Sequence, residues 1–164
     1  MRARSTTRWR RAARCTAKAS AAPISRCSTI PNSPAASKSL GFFLKFEGAL
    51  PRTIYQFIVL TVARATGAGF EWHDHIAHAR AAGLPEEVID CIGTDRAAAL
   101  PQPYALAHAI LAKTMTWQVV PDDLQAQAVT QWGKHGLVEI VVLSGFYQMF
   151  AAINQGFDIR PAGN

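Results

Sequence analysis

Three cysteines in 164 residues make no recognisable framework. Cys15 and Cys27 lie near the N-terminus and Cys91 stands alone in an apolar helical pattern. A disulfide scaffold needs an even, regularly spaced set and a zinc ribbon needs paired Cys-x-x-Cys units, so both are excluded. Cys91 reads as a small buried apolar residue, the usual place of a free cysteine, and not as a nucleophile. No stretch alternates apolar and polar residues for long enough to require a sheet. The N-terminal part also lacks the unbroken apolar run of roughly 7 to 15 residues that a secretory signal needs, so export is not supported. Acidic residues are missing altogether from Met1 to Phe46, where ten Lys or Arg stand.

That one-sided stretch accounts for the net charge of +6. From Glu47 onward seven basic residues face eleven acidic ones, a formal charge of −4. A mildly acidic body offers no phosphate-binding face by net charge, so no nucleic-acid partner is expected. Residues 1–38 are rich in Arg, Ser and Ala. That composition suits a transit peptide and also, more simply, a disordered basic leader, which is the reading adopted. Residues 39–164 are then the folded part. With 49% hydrophobic and 17% charged residues, the chain has ordinary globular composition for one domain with one core.

From Leu40 onward helical periodicity dominates. Pro51 suits the first turn of a helix running to about Thr66, with Ile54, Phe57, Ile58, Leu60 and Thr61 at three- and four-residue spacings. A second helix fits Phe70 to Ala82, and Pro85 with Glu86 and Glu87 opens a third. A fourth covers about Tyr104 to Gln118. A fifth starts after Pro121 and ends near Trp132, and Gly133 and Gly136 separate it from the last, Leu137 to about Asn154. That last helix is apolar nearly all round. Glu139, Ser144, Gly145 and Gln148 interrupt it, so a central or interface-buried helix is expected and no membrane span. An apolar helix of this kind in a short chain also predicts self-association.

Candidate chemistry concentrates in Phe70-Glu71-Trp72-His73-Asp74-His75-Ile76-Ala77-His78, which holds three of the five histidines. At about 100° per residue, His75 lies about 40° from Glu71 and His78 about 20° on the other side, so the three share a stripe while His73 and Asp74 point elsewhere. A Glu and a His at i and i+4 can share a proton, each setting the other's pKa. The same stripe is also what an ordinary surface ion pair looks like. As metal ligands, Glu71 and His78 stand about 10 Å apart along the axis, too far to close on one ion, and no metal is expected.

The string Phe70-Glu71-Trp72-x-x-His75-x-x-x-Ala79-x-x-x-Gly83-Leu84 resembles the signature of carboxymuconolactone decarboxylase-like proteins, the superfamily that includes the alkylhydroperoxidase D enzymes. The resemblance continues upstream in Leu50-Pro51-Arg52-x-x-Tyr55-x-Phe57-x-x-Leu60-x-x-Ala63-Arg64. Downstream it continues in Trp132-Gly133-x-x-Gly136-Leu137-Val138-Glu139 and Gly145-Phe146-Tyr147. It implies an all-α, alkylhydroperoxidase D-like bundle of about six helices that assembles into trimers or hexamers. In the alkylhydroperoxidase D branch a Cys-x-x-Cys pair precedes the His and carries disulfide redox chemistry. Those positions are Ala68 and Glu71 here, so the thiol mechanism is not expected. Gln56 stands where the family usually has a proton-relay glutamate. An amide can orient a substrate but cannot exchange a proton at neutral pH.

The resulting expectation is a cytoplasmic, lyase-like homo-oligomer that needs no cofactor. Glu71 and His75, with Gln56 beside them, would handle the proton in decarboxylation or related lyase chemistry on a small carboxylated or lactone substrate. Tyr55, Arg64, Trp72, His78 and Phe146 are the expected substrate-binding residues, Arg64 as a bidentate partner for a carboxylate. Two alternatives stand beside this: a peroxiredoxin-like family member without thiol chemistry, and a noncatalytic oligomeric helical module.

Overall fold

The structure, a computed structural model, describes residues 33–159. It is all-helical, with six α-helices and no strand among the described residues: α1 Ser33–Phe42, α2 Arg52–Thr66, α3 Gly69–Ala81, α4 Glu86–Gly93, α5 Tyr104–Thr114 and α6 Asp122–Gly156. A π-helical turn, Phe43–Glu47, continues α1, and a 3₁₀ turn, Ala97–Ala99, follows α4. The boundary placed between residues 38 and 39 falls inside α1. The rest of the basic leader lies outside the described residues.

Six helices appear, but two departures from the expected pattern offset each other in that count. Helix α1 was not anticipated. The fifth and sixth expected helices run on as one, broken only at Gly133, whose φ of 72° and ψ of 174° are non-helical, while Gly136 stays helical. Only a residue without Cβ takes that backbone conformation readily, so the chain redirects there and helix resumes at once. Helix α5 stops at Thr114, four residues short of the Gln118 read from periodicity.

The central helix is α2, not the apolar C-terminal one. Ten consecutive residues, Ile54 to Ala63, are buried, because α3, α4, α5 and α6 all pack against this helix. Burial on every side explains why its pattern carries a polar residue, Gln56, at 0% exposure. Helix α6 puts Ile140, Leu143, Phe146, Tyr147 and Phe150 into the core and leaves Val138, Val141, Val142 and Met149 exposed. By length and composition it is the one helix among the described residues apolar enough to cross a membrane. Its buried face is already occupied by α2 and α5.

Candidate active site

Gly67 sets up the site. Its φ of 67° ends α2 in the left-handed conformation; its N–H donates to the Arg64 carbonyl at 3.2 Å and the Ala68 N–H donates to the Ala63 carbonyl at 2.8 Å. This close of the helix turns the chain back so that α3 lies along α2. Glu71 and His75, one turn apart on α3, are thereby buried at 6% and 5% exposure against Tyr55 and Gln56 of α2 and Tyr147 and Asn154 of α6.

Most polar groups have a defined partner, but Gln56 Nε2 and Asn154 Oδ1 are buried without one among the described residues. His75 Nδ1 lies 2.9 Å from Gln56 Oε1. A carbonyl oxygen only accepts, so Nδ1 carries the proton and Nε2 presents its lone pair. Nε2 faces the Tyr147 hydroxyl at 3.3 Å, and that hydroxyl is 2.7 Å from the Tyr55 hydroxyl. Asn154 Nδ2 donates to Glu71 Oε1 at 2.8 Å. The second Glu71 oxygen, Oε2, stands 3.8 Å from His75 Nε2, outside hydrogen-bond range, so the two do not bond each other directly.

Burial decides the protonation states. It is the largest influence on His75, holding the imidazole down at about 4, so the ring is neutral at pH 7. It is also the largest influence on Glu71, and pushes the carboxyl up; the Asn154 hydrogen bond pulls the other way and the nearby Asp74 carboxylate adds to the rise. A position in the first turn of a helix favours a carboxylate anion; here desolvation outweighs it. The close approach of Glu71 and His75 is therefore not an ion pair. Burial likewise raises the Tyr55 and Tyr147 hydroxyls, Tyr147 well above 10.0.

These groups form the polar part of a cavity of about 480 Å³. Phe70, Phe146 and Phe150 wall it from α3 and α6, and Phe42 and Phe46 close it from α1 and the π-helical turn. Lys38, Lys45 and Asp74 also line it. The loop between that turn and α2 is tied to α6, where the buried Glu139 accepts the Ala49 N–H at 2.6 Å.

Of the residues singled out from sequence, Glu71, His75, Gln56, Tyr55 and Phe146 come together here, Gln56 behind the imidazole and the others lining the cavity. Arg64, Trp72 and His78 do not. Arg64 pairs with Asp95 at 2.7 Å, both side chains solvent-exposed, and with Trp72 it borders a separate recess beside Gly69 and Gly93. His78 is exposed, its ring 5.9 Å from that of His75. Asp74, expected to point away, lines the cavity with Oδ2 3.9 Å from His75 Nε2. Positions 71, 74, 75 and 78 share one face of α3 by angle, Asp74 included, but position 78 lies about a turn farther along the axis, beyond the end of the cavity.

Tyr147 and Asn154 were not anticipated as site residues. Both are polar positions in a helix otherwise apolar nearly all round, a signal that each needs a buried partner. Sequence spacing gives no means of naming that partner more than 70 residues away.

The model of the carboxymuconolactone decarboxylase family matches residues 31–114. The matched stretch runs from α1 through α5 and contains Tyr55, Gln56, Glu71 and His75. The chain belongs to the carboxymuconolactone decarboxylase family. Comparison with curated proteins and with solved structures returns no match. Helix α6, which supplies Tyr147 and Asn154, lies beyond the matched residues, so the polar groups of this family member's cavity come partly from outside the stretch that identifies it.

Proposed function

We propose that the cavity is the active site of a lyase-like member of the family, acting by acid/base chemistry on a small carboxylated or lactone substrate. The observation that carries this reading is the pair Glu71 and His75, buried together on an apolar cavity, with a raised carboxyl and a lowered imidazole pKa. Oppositely perturbed neighbours in a cleft are what proton transfer at carbon requires. In a decarboxylation, the bond from carbon to the departing carboxylate breaks and its electron pair stays on the substrate, delocalised into an adjacent carbonyl. Glu71, whose carboxyl pKa burial raises, delivers its proton to that carbon from its acid form. The Asn154 amide then stabilises the carboxylate left behind, which regains a proton from solvent as product leaves, while Gln56 holds the neutral His75 with its Nε2 lone pair toward the site. Desolvation by the phenylalanine walls favours loss of a charged carboxylate as neutral carbon dioxide.

The test is a screen of carboxylated lactones in deuterated water. Deuterium at the carbon that lost carbon dioxide, appearing with the parent and not with Glu71→Gln, supports the assignment. Turnover unaffected by Glu71→Gln removes it. A noncatalytic module remains the alternative reading if no carboxylated compound turns over.

Self-association belongs to the same proposal. Val138, Val141, Val142 and Met149 form an outward stripe on α6, with Val138 60% exposed. An apolar stripe of this kind fits a second copy of the chain in a cytoplasmic homo-oligomer. Light scattering on the parent should give a multiple of 17.8 kDa, and Val138→Glu combined with Val142→Glu should lower it. A monomeric parent at micromolar concentration ends the idea.

A further inference from the structure

The cavity's rim carries charges that the acid/base chemistry leaves unused. Lys38 of α1 and Lys45 of the π-helical turn both line it, seven positions apart. Neither ammonium has a carboxylate partner among the described residues; Lys45 Nζ instead lies 5.6 Å from the centre of the Phe46 ring. Gly41 stands between them in sequence and lets α1 approach α6, since a Cβ there would come within 3.1 Å of the Phe146 ring. Against these two cations the rim has one exposed carboxylate, Asp74, leaving an excess of one positive charge. Lys45 is close enough to be felt at the floor, where it helps hold the His75 imidazole in its neutral form.

Below the rim the walls are apolar, and the floor offers only hydroxyls, an uncharged imidazole and a carboxyl whose pKa burial raises. A second anionic group would find no cation among the lining residues there; Arg52, outside the lining, lies over the Tyr55 ring at 4.7 Å and donates to the Lys45 carbonyl. The volume of about 480 Å³ lies within the range of roughly 300 to 1,000 Å³ usual for small-molecule sites.

We propose that this cavity takes a ligand with an apolar, ring-sized or short acyl body and one anionic anchor, the body among the phenylalanines and the anchor at Lys38 and Lys45. The inference rests on reading the cavity as a substrate site, but not on any particular reaction. Pairing a carboxylate with ammonium groups stabilises the charge that decarboxylation must remove, so the anchored group is one that the reaction retains. Charge also argues against the chain's own N-terminal segment as occupant, because residues 1–32 carry eight basic and no acidic residues and like charges repel.

The test uses unreactive probes and calorimetry on the full-length protein. Phenylacetate, 3-phenylpropionate and 4-phenylbutyrate should bind with rising affinity, each added methylene tightening binding about three- to fourfold if it is buried. The Lys38→Met, Lys45→Met double variant should bind 4-phenylbutyrate at least about fivefold more weakly, yet bind 4-phenylbutyramide as the parent does. Adipate should bind more weakly than 4-phenylbutyrate. The proposal is overturned if none of the aryl acids binds, as when a second copy seals the cavity, if adipate binds as tightly as 4-phenylbutyrate, or if the double variant retains full affinity for the acid. Aryl acid binding without any Glu71-dependent turnover removes the catalytic proposal and leaves this one standing. Glu71-dependent turnover of a carboxylated lactone with no aryl acid binding does the reverse.

Discussion

Glu71 with His75 and Arg64 with Asp95 are two acid and base pairs in one small domain, and they behave in opposite ways. Arg64 and Asp95 meet at 2.7 Å with side chains 46% and 70% exposed. Water solvates both, and such a pair contributes about 1 kcal/mol or less to stability. Glu71 and His75 stand farther apart, at 3.8 Å, yet each side chain is only 7% exposed. Their ionisation is shifted by the loss of water more than by each other. What separates the two pairs here is burial on an apolar cavity, not proximity of opposite charges.

The largest expected effect separates the pairs by turnover. Glu71→Gln and His75→Asn should each lower the rate on a responsive carboxylated substrate by roughly 10² to 10⁴ where proton transfer is limiting, while Arg64→Ala should change it less than about twofold. Steady-state kinetics decides this, and equal losses in all three variants would erase the distinction. The parent's rate should also fall as pH rises through the elevated Glu71 pKa, because the donor form of the acid is then lost.

Stability against pH gives the next largest contrast. The folded-state pKa of His75 is about 4 against 6.5 for the free side chain. Between those values the unfolded chain binds a proton that the native chain does not, so native stability falls as pH drops from 6.5 toward 4, by on the order of 3 kcal/mol in full. Glu71 acts with the opposite sign: its raised pKa costs stability as pH rises above 4.5. Urea melts at pH 7 and pH 4.5 should therefore show a smaller difference for His75→Asn than for the parent. Identical differences would show that the imidazole is not held neutral.

A smaller effect is expected behind the imidazole. Gln56→Glu places a carboxylate against the Nδ1 proton and should raise the His75 pKa, followed by NMR titration of the ring. Bringing a carboxyl into a position of 0% exposure should also cost about 1 to 3 kcal/mol in denaturant melts. An unchanged imidazole pKa would mean that Gln56 does not orient it. Smallest of all, Cys91→Ala should leave turnover unaltered, since the Cys91 thiol lines only a small recess of about 70 Å³ apart from the cavity. Activity abolished by that substitution alone would move the chemistry to the thiol.

Much of this domain was legible in the chain itself. Periodicity and proline placement gave the starts of α2, α4 and α6 to within a residue, because a helix entry is a local event governed by a proline and the acidic or apolar residues after it. The signature around Glu71 and His75 was equally local, since i and i+4 must be neighbours on any helix. Packing decided the rest. Which helix became the hub, α2 and not α6, depended on how many others lie against it, and the apolar count along either sequence does not contain that number. Helix α1 was missed because the small and polar residues that open its sequence, SPAASKSLGF, continue the Ser- and Ala-rich composition of the leader. Tyr147 and Asn154 entered the site, and Arg64, Trp72 and His78 left it, through the angle at which α3 and α6 pack on α2. Spacing along one helix fixes which residues share a face. Only the tertiary structure decides what that face meets, because contact between segments 70 to 90 residues apart depends on shape and burial across the whole core.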